Sequence, residues 1–177
     1  MPKRNPFADP EPLLRRVYAY VAYRVGDRTE AEDITSETFE RALRYRDGYD
    51  ERKGDPIAWL LGIARNCVYD AQLRHRPQPP HEPEQTQPGV DAEVVARLAL
   101  RQAFATLSLD DQELLALRYG ADLRVREIAS LLDRRTNAVE VALSRARARL
   151  ATALEEGETP TRPGIERPPP GLADRAL

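Results

Sequence analysis

Cysteine occurs once among the 177 residues, at position 67, and a lone thiol closes no internal disulfide. Histidine occurs twice, and neither a CxxC nor an HxxxH spacing is present, so the sequence offers no metal-ligand set and implies no cofactor. His75 and His81 flank a proline-rich stretch and read as solvated linker residues. Charges interrupt every apolar run, leaving nothing near the roughly 18 consecutive apolar residues that a membrane-spanning helix needs. An arginine-led apolar start of the kind that opens a signal peptide is also missing. These absences point to a reducing cytoplasm, away from secreted disulfide scaffolds, membrane spans and metalloenzymes. Sustained alternation of β-branched residues is lacking too, while alanine, leucine, arginine and glutamate dominate, which predicts an all-α fold.

Proline divides what is there. Of fifteen prolines, only Pro56 falls between residues 13 and 76, and none falls in 91–154. The stretch RPQPPHEPEQTQPG has no apolar periodicity and reads as a semi-rigid linker over 77–90. Two small helical units are expected at 13–76 and 91–154, an amino-terminal bundle and a carboxy-terminal helix-turn-helix, followed by a disordered tail over 155–177. Each buries a modest core and gains from docking on something larger. Fully extended, the linker spans about 45 Å, so the units can touch one long partner at distant points.

The formal net charge is only −2, yet residues 134–149 hold five arginines against one acid, Glu140. Such a surplus suits phosphates. In LSLDDQELLALRYG, Ser108 is the expected N-cap with Asp111 three residues on, Leu114, Leu115 and Leu117 give an apolar stripe, and Gly120 stops the helix. A short helix over VREIASLLD turns Ile128, Leu131 and Leu132 inward, with Ala129 small enough for a second helix to cross close by, and residues 133–136 make the turn. In the helix after it, Val139, Leu143, Ala146 and Leu150 share the packing face. Asn137, Val141, Ser144 and Arg145 fall opposite, flanked by Glu140, Arg147 and Arg149, with Arg134 and Arg135 at the entry. A first helix propping a second whose outer face enters a major groove is helix-turn-helix logic; a plain helical hairpin with a solvated arginine face is the alternative.

The REIA-x-LL run, inward Val139 and the SRARARL ending resemble the last domain of extracytoplasmic-function (ECF) sigma factors, which binds the minus-thirty-five promoter element. The resemblance implies that Arg134, Arg135, Asn137, Glu140, Val141, Ser144, Arg145, Arg147 and Arg149 face that DNA. Asp133 stands where a glycine is common in the turn. Where many relatives carry threonine, a basic residue and arginine, this chain has Ala138, Glu140 and Ala142, which implies fewer guanine contacts and a possible acceptor for a cytosine amine.

In the first unit, Leu14, Val17, Tyr18, Val21 and Val25 form a helical stripe that ends at Gly26, and Thr29 with Glu32 forms a second capping box. Ala31, Ile34, Thr38, Phe39 and Ala42 point to one side of the next helix; Asp33, Glu37, Glu40 and Arg44 point to the other. EAEDITSETFERAL resembles the sigma segment that docks on the clamp coiled coil of RNA polymerase, implying contacts through Asp33, Ser36, Glu37 and Glu40, with Ser36 in place of a common glutamine. The loop YRDGYDERKGD interleaves Tyr45 and Tyr49 with Arg46, Arg52 and Lys53, a pattern that suits single-stranded DNA because bases stack on rings while cations track phosphates. Asp55 and Pro56 then start a helix that buries Ile57, Leu60, Leu61, Ala64, Cys67, Val68 and Ala71 and leaves Trp59, Ile63, Asn66 and Asp70 on another face. AWLLGIARN resembles the sigma domain that recognises and melts the minus-ten element, which implies base contacts through Asn66, the preceding loop and Trp59, although a tryptophan there also suits core packing.

The resemblance implies a transcription initiation factor that partners core RNA polymerase and promoter DNA, with a possible anti-sigma factor as regulator and no chemistry on a substrate. The alternative is a helix-turn-helix regulator with an amino-terminal sensing domain. An enzyme ranks third: the adjacent carboxylates Glu32–Asp33 and Asp110–Asp111 are accounted for by helix starts.

Overall fold

A computed structural model describes residues 7, 9–74 and 92–158, and every regular element among them is helical. Linker positions 77–90, both histidines and the tail from 159 lie outside the described residues.

The first helix, α1 (Pro10–Val25), takes proline in its opening turn, where a missing N–H sacrifices no helical bond, and ends on Gly26 at φ 74°, whose amide returns to the Ala22 carbonyl. Asp27 is extended, and its carboxylate accepts from the Glu30 amide at 2.8 Å to launch α2 (Arg28–Arg44). Asp27, not the expected Thr29, is therefore the cap. Gly26 turns the chain early enough for Asp27 to reach the first free amides, and Glu32 pairs instead with Arg28 at 2.9 Å. Two 3-10 turns, Arg46–Gly48 and Glu51–Lys53, lead into α3 (Pro56–Arg74).

Helices α1, α2 and α3 pack mutually into one bundle. All seven α3 positions expected inward are buried, as are Ala31, Ile34, Thr38 and Ala42 on α2. Thr35 and Thr38 are buried as well, and each satisfies its hydroxyl by donating to a carbonyl one turn back, Ala31 at 2.6 Å and Ile34 at 2.8 Å. Leu14, expected on the inner stripe of α1, is 47% exposed, whereas Tyr20, which lies off that stripe, is fully buried. The reason is that a second layer of helices covers the Tyr20 side of α1.

That layer comprises α4 (Ala92–Ala105), α5 (Leu109–Leu115), a π-helical turn (Ala116–Gly120), α6 (Val125–Leu131) and α7 (Thr136–Glu158). Ser108 caps α5 by accepting from the Asp111 amide at 3.2 Å. The wide turn after α5 closes through the Ala121 amide on the Ala116 carbonyl. Leu114, Leu117, Leu123, Ile128, Val139, Leu143 and Ala146 fill the core, with Leu150 partly buried beside it. Helix α7 takes in 155–158, expected to begin the tail, because ALEE continues its run of strong helix formers and the next proline comes only at residue 160.

The two groups of helices share one continuous apolar core. α1 lies against the π turn and α5, while α3 touches α6.

Candidate functional site

Three surfaces carry the predicted site residues, and each is held by different physics. On α2, Asp33, Ser36 and Glu40 are exposed. Asp33 and Glu40 have no intramolecular ion pair among the described residues. Glu37 does: it accepts from Arg41 at 2.5 Å and lies 3.8 Å from Arg74. The acidic face is therefore two free carboxylates beside one already partnered.

At the end of α2 the 3-10 turns present the tyrosine-bearing loop. Tyr45 is 60% exposed, and Arg46 is exposed with no ion pair. Tyr49 is less available. Its ring lies 5.5 Å from the Trp59 ring, and its hydroxyl donates to the Gly54 carbonyl at 3.1 Å. Trp59 also meets Phe7 at 6.3 Å and packs against the core while staying partly exposed. Arg52 folds back on Asp50, with Nε 3.1 Å from Oδ1. The Lys53 side chain lies outside what is described. Asn66 is exposed one turn further along α3.

On the other side, α6 and α7 form a helix-turn-helix. The turn depends on Asp133 at φ 52°, a left-handed geometry that aspartate tolerates better than most residues, and it is closed by the Arg134 amide on the Ala129 carbonyl at 2.9 Å. Asn137, Glu140, Val141, Ser144, Arg145 and Arg147 are exposed along α7, and Val139, Leu143 and Ala146 anchor its opposite side. Arg135, Asn137, Val141, Arg145 and Arg149 line an open depression whose far wall is Asp110 and Asp111 on α5. Arg134 is bidentate on Asp110, at 2.6 and 3.1 Å, and Arg149 Nη1 bridges both oxygens of the buried Asp111 at 2.8 Å. Arg135, Arg145 and Arg147 have no such partner. The five arginines thus divide into two that tie the helix-turn-helix to α5 and three with free guanidinium groups.

The sequence reading missed a fourth cluster, at the seam between the helix groups. Glu113 of α5 accepts from the Tyr20 hydroxyl at 2.9 Å and from Arg65 Nε at 2.7 Å, and Arg24 Nε lies 3.3 Å away. Burial, and then the Glu113 charge, hold the Tyr20 phenol well above its ordinary pKa. Only the surplus of cations over apolar neighbours on α1 hinted at this cluster, because its members lie about 50 to 90 residues apart in the chain.

Comparison with known proteins agrees with this division. The Sigma-70 region 2 family matches residues 11–77 and the Sigma-70 region 4 family matches residues 97–150. The ECF RNA polymerase sigma factor BldN of Streptomyces coelicolor is 35% identical over 149 residues, covering 79% of this chain and 56% of BldN. The chain belongs to the ECF sigma factors. The sigma factor is also 26% identical over 147 residues to the ECF sigma factor SigL of Mycobacterium tuberculosis, covering 79% of this chain and 83% of SigL. It spans little more than half the length of BldN. Among solved structures it shares its fold with RpoE of Bartonella quintana in complex with the anti-sigma factor NepR, at TM-score 0.62 and 21% identity over 81% of this chain and 92% of that one. CnrH in complex with the cytosolic domain of CnrY follows at TM-score 0.58, 21% identity and 83% of this sigma factor. No helix among the described residues is long and apolar enough to cross a membrane.

Proposed function

We propose that the chain binds core RNA polymerase through its region 2 unit, positions both units on promoter DNA and assists strand opening in the cytoplasm, performing no chemistry of its own. The observation that carries this reading is the pairing of two chemically different surfaces in one chain. One is an exposed acidic face on α2; the other is a helix-turn-helix whose outer side keeps Arg135, Arg145 and Arg147 unpaired. A duplex-binding regulator needs the second surface but not the first.

Asp33 and Glu40, with Glu37 and Ser36 beside them, offer carboxylates to cations on the polymerase, and such complementarity sets orientation and association rate. The unpaired arginines of α7 meet phosphates and base edges of the minus-thirty-five element, and Val141 offers an apolar contact in the same groove. Arg134 and Arg149 hold α7 at a fixed angle on α5 and border that surface. In the tyrosine-bearing loop, exposed Tyr45 and Arg46 receive unstacked bases and backbone, and the Tyr49–Trp59 pair supports them from beneath with Asn66 alongside. Capturing a base outside the duplex offsets an unstacking cost of about a few kcal/mol, so binding energy opens the strands. Because two neighbours of similar fold are described with bound anti-sigma partners, a regulator of that kind is proposed here as well.

Transcription in vitro with purified core polymerase, the sigma factor and a library of upstream sequences tests the reading: initiation from a defined subset is expected, and no association with core polymerase under any condition refutes it.

A further inference from the structure

We infer that the two units close on each other in the polymerase-free chain, and that Glu113 is the latch, seated among Tyr20, Arg24 and Arg65 and withdrawn when the units separate. The consequence for transcription rests on the function proposed above; the closure itself stands on geometry.

Three independent features support it. The first is charge. A carboxylate on α5 whose side chain is only 13% exposed faces two guanidinium groups from the other unit, and Arg24 is still more buried, at 7%. Arg24 Nε lies within ion-pair distance of Glu113 yet is angled so that it makes no hydrogen bond, while Nη1 donates to the Leu109 carbonyl at 3.1 Å. A buried carboxylate and guanidinium this close are tolerable only together.

Close backbone approach is the second feature. A Cβ added at Gly120 would stand 3.0 Å from Tyr23 Cδ2, 3.1 Å from the Ala19 carbonyl oxygen and 3.1 Å from Tyr20 Cα, all on α1. Two of those atoms are backbone and cannot swing aside. Since no positive φ is involved, nothing within its own unit demands glycine at this position. Its missing side chain serves the seam.

The third is that α1 reads the second unit's backbone. Arg16 donates to the Ala121 carbonyl at 2.6 Å and to the Asp122 carbonyl at 3.1 Å, and Tyr23 meets the Phe104 ring edge-on at 5.8 Å. Seam residues therefore come from α1, α3, α4, α5 and the π turn. The proposed DNA and polymerase residues lie outside it. Closing fixes the distance between the two DNA-reading surfaces without covering either, and reaching two distant promoter elements requires opening.

The test labels exposed Arg15→Cys and Arg126→Cys in the full chain for energy transfer; buried Cys67 stays in place. High transfer efficiency is expected for the wild type. Glu113→Gln, which preserves shape, and Gly120→Val, which strikes only α1, should each lower the efficiency and raise the radius of gyration while helicity is retained. Low efficiency in the wild type, or efficiency unchanged in both variants, overturns the closure. With core RNA polymerase, the opened variants should bind about tenfold tighter, as expected when the competent population rises from a minority to a majority. Equal affinity despite opening overturns the gating role. If no form binds polymerase, it is the proposed function that fails, and the transfer data still decide the closure.

Discussion

Tyr20 places a phenol where neither water nor solvent cations reach it, and that has a pH signature. Its folded pKa is raised well above the ordinary 10 by burial and by the Glu113 charge, so the folded state holds the proton more tightly than the unfolded chain. The stabilisation is therefore full below about pH 10 and is lost as pH climbs through the raised folded value. Arg24 and Arg65 face the same group and oppose the shift without reversing it. Unfolding midpoints should fall more steeply on the alkaline side for the wild type than for Tyr20→Phe, and parallel curves would contradict this assignment. A second prediction at this scale concerns Arg145. Its guanidinium is unpaired, so Arg145→Ala should weaken duplex promoter binding by about 1 to 3 kcal/mol if it reads a base, or lower the salt slope by about one if it meets a phosphate. A titration with equal affinity and slope sinks both. Arg149 looks equivalent in the sequence, yet its hydrogen bonds to Asp111 make its loss a matter of helix anchoring as well. No spacing rule distinguishes the two, because the deciding carboxylate sits 38 residues away in the chain.

Individual elements were legible where one face meets one core. The α3 stripe repeats at helical spacing, and all seven of its inward positions are buried. The α7 stripe behaves likewise. The start of α2 was not legible, since DRTEAE offers two competent caps and only the placement of Gly26 selects Asp27. Leu14 and Tyr20 exchanged roles for a related reason: periodicity locates a stripe facing one core, and α1 faces two. The turn before α7 permits a test of local chemistry. Asp133 holds φ 52° with a Cβ that resists it, so Asp133→Gly should leave stability unchanged or raise it by up to about 1 kcal/mol, and Asp133→Val should lower it. Urea midpoints ordered the other way would contradict the left-handed cap. On α2, Asp33→Arg combined with Glu37→Arg should abolish co-purification with core polymerase while helicity is retained. The Arg41 and Arg74 pairs that lose Glu37 are partly exposed and contribute little.

For the whole molecule, the sequence predicted two units and their order, but not their contact. Contact between units leaves no periodic trace when its residues are a tyrosine, a glycine and a few charges that each have a bland local reading. Arg24 and Glu113 are the energetic centre of that contact. Removing one member of a buried pair costs about 3 to 5 kcal/mol, and the more exposed Arg65 adds less because solvent screens it. The tyrosine-bearing loop acts at this scale too, since opening needs both units on one promoter. Tyr45→Ala with Tyr49→Ala should impair strand opening more than closed-complex formation, and permanganate footprints equal to wild type would reject that role.

Trp59 is the only indole in the chain, and it sits against Tyr49 and Phe7 beside the loop proposed to take up single-stranded bases. The unlabelled protein thus contains its own optical reporter. A base arriving on Tyr49 would disturb the ring nearest the fluorophore, so the moment of strand separation should be readable as a change in native emission, with no dye attached and no residue replaced.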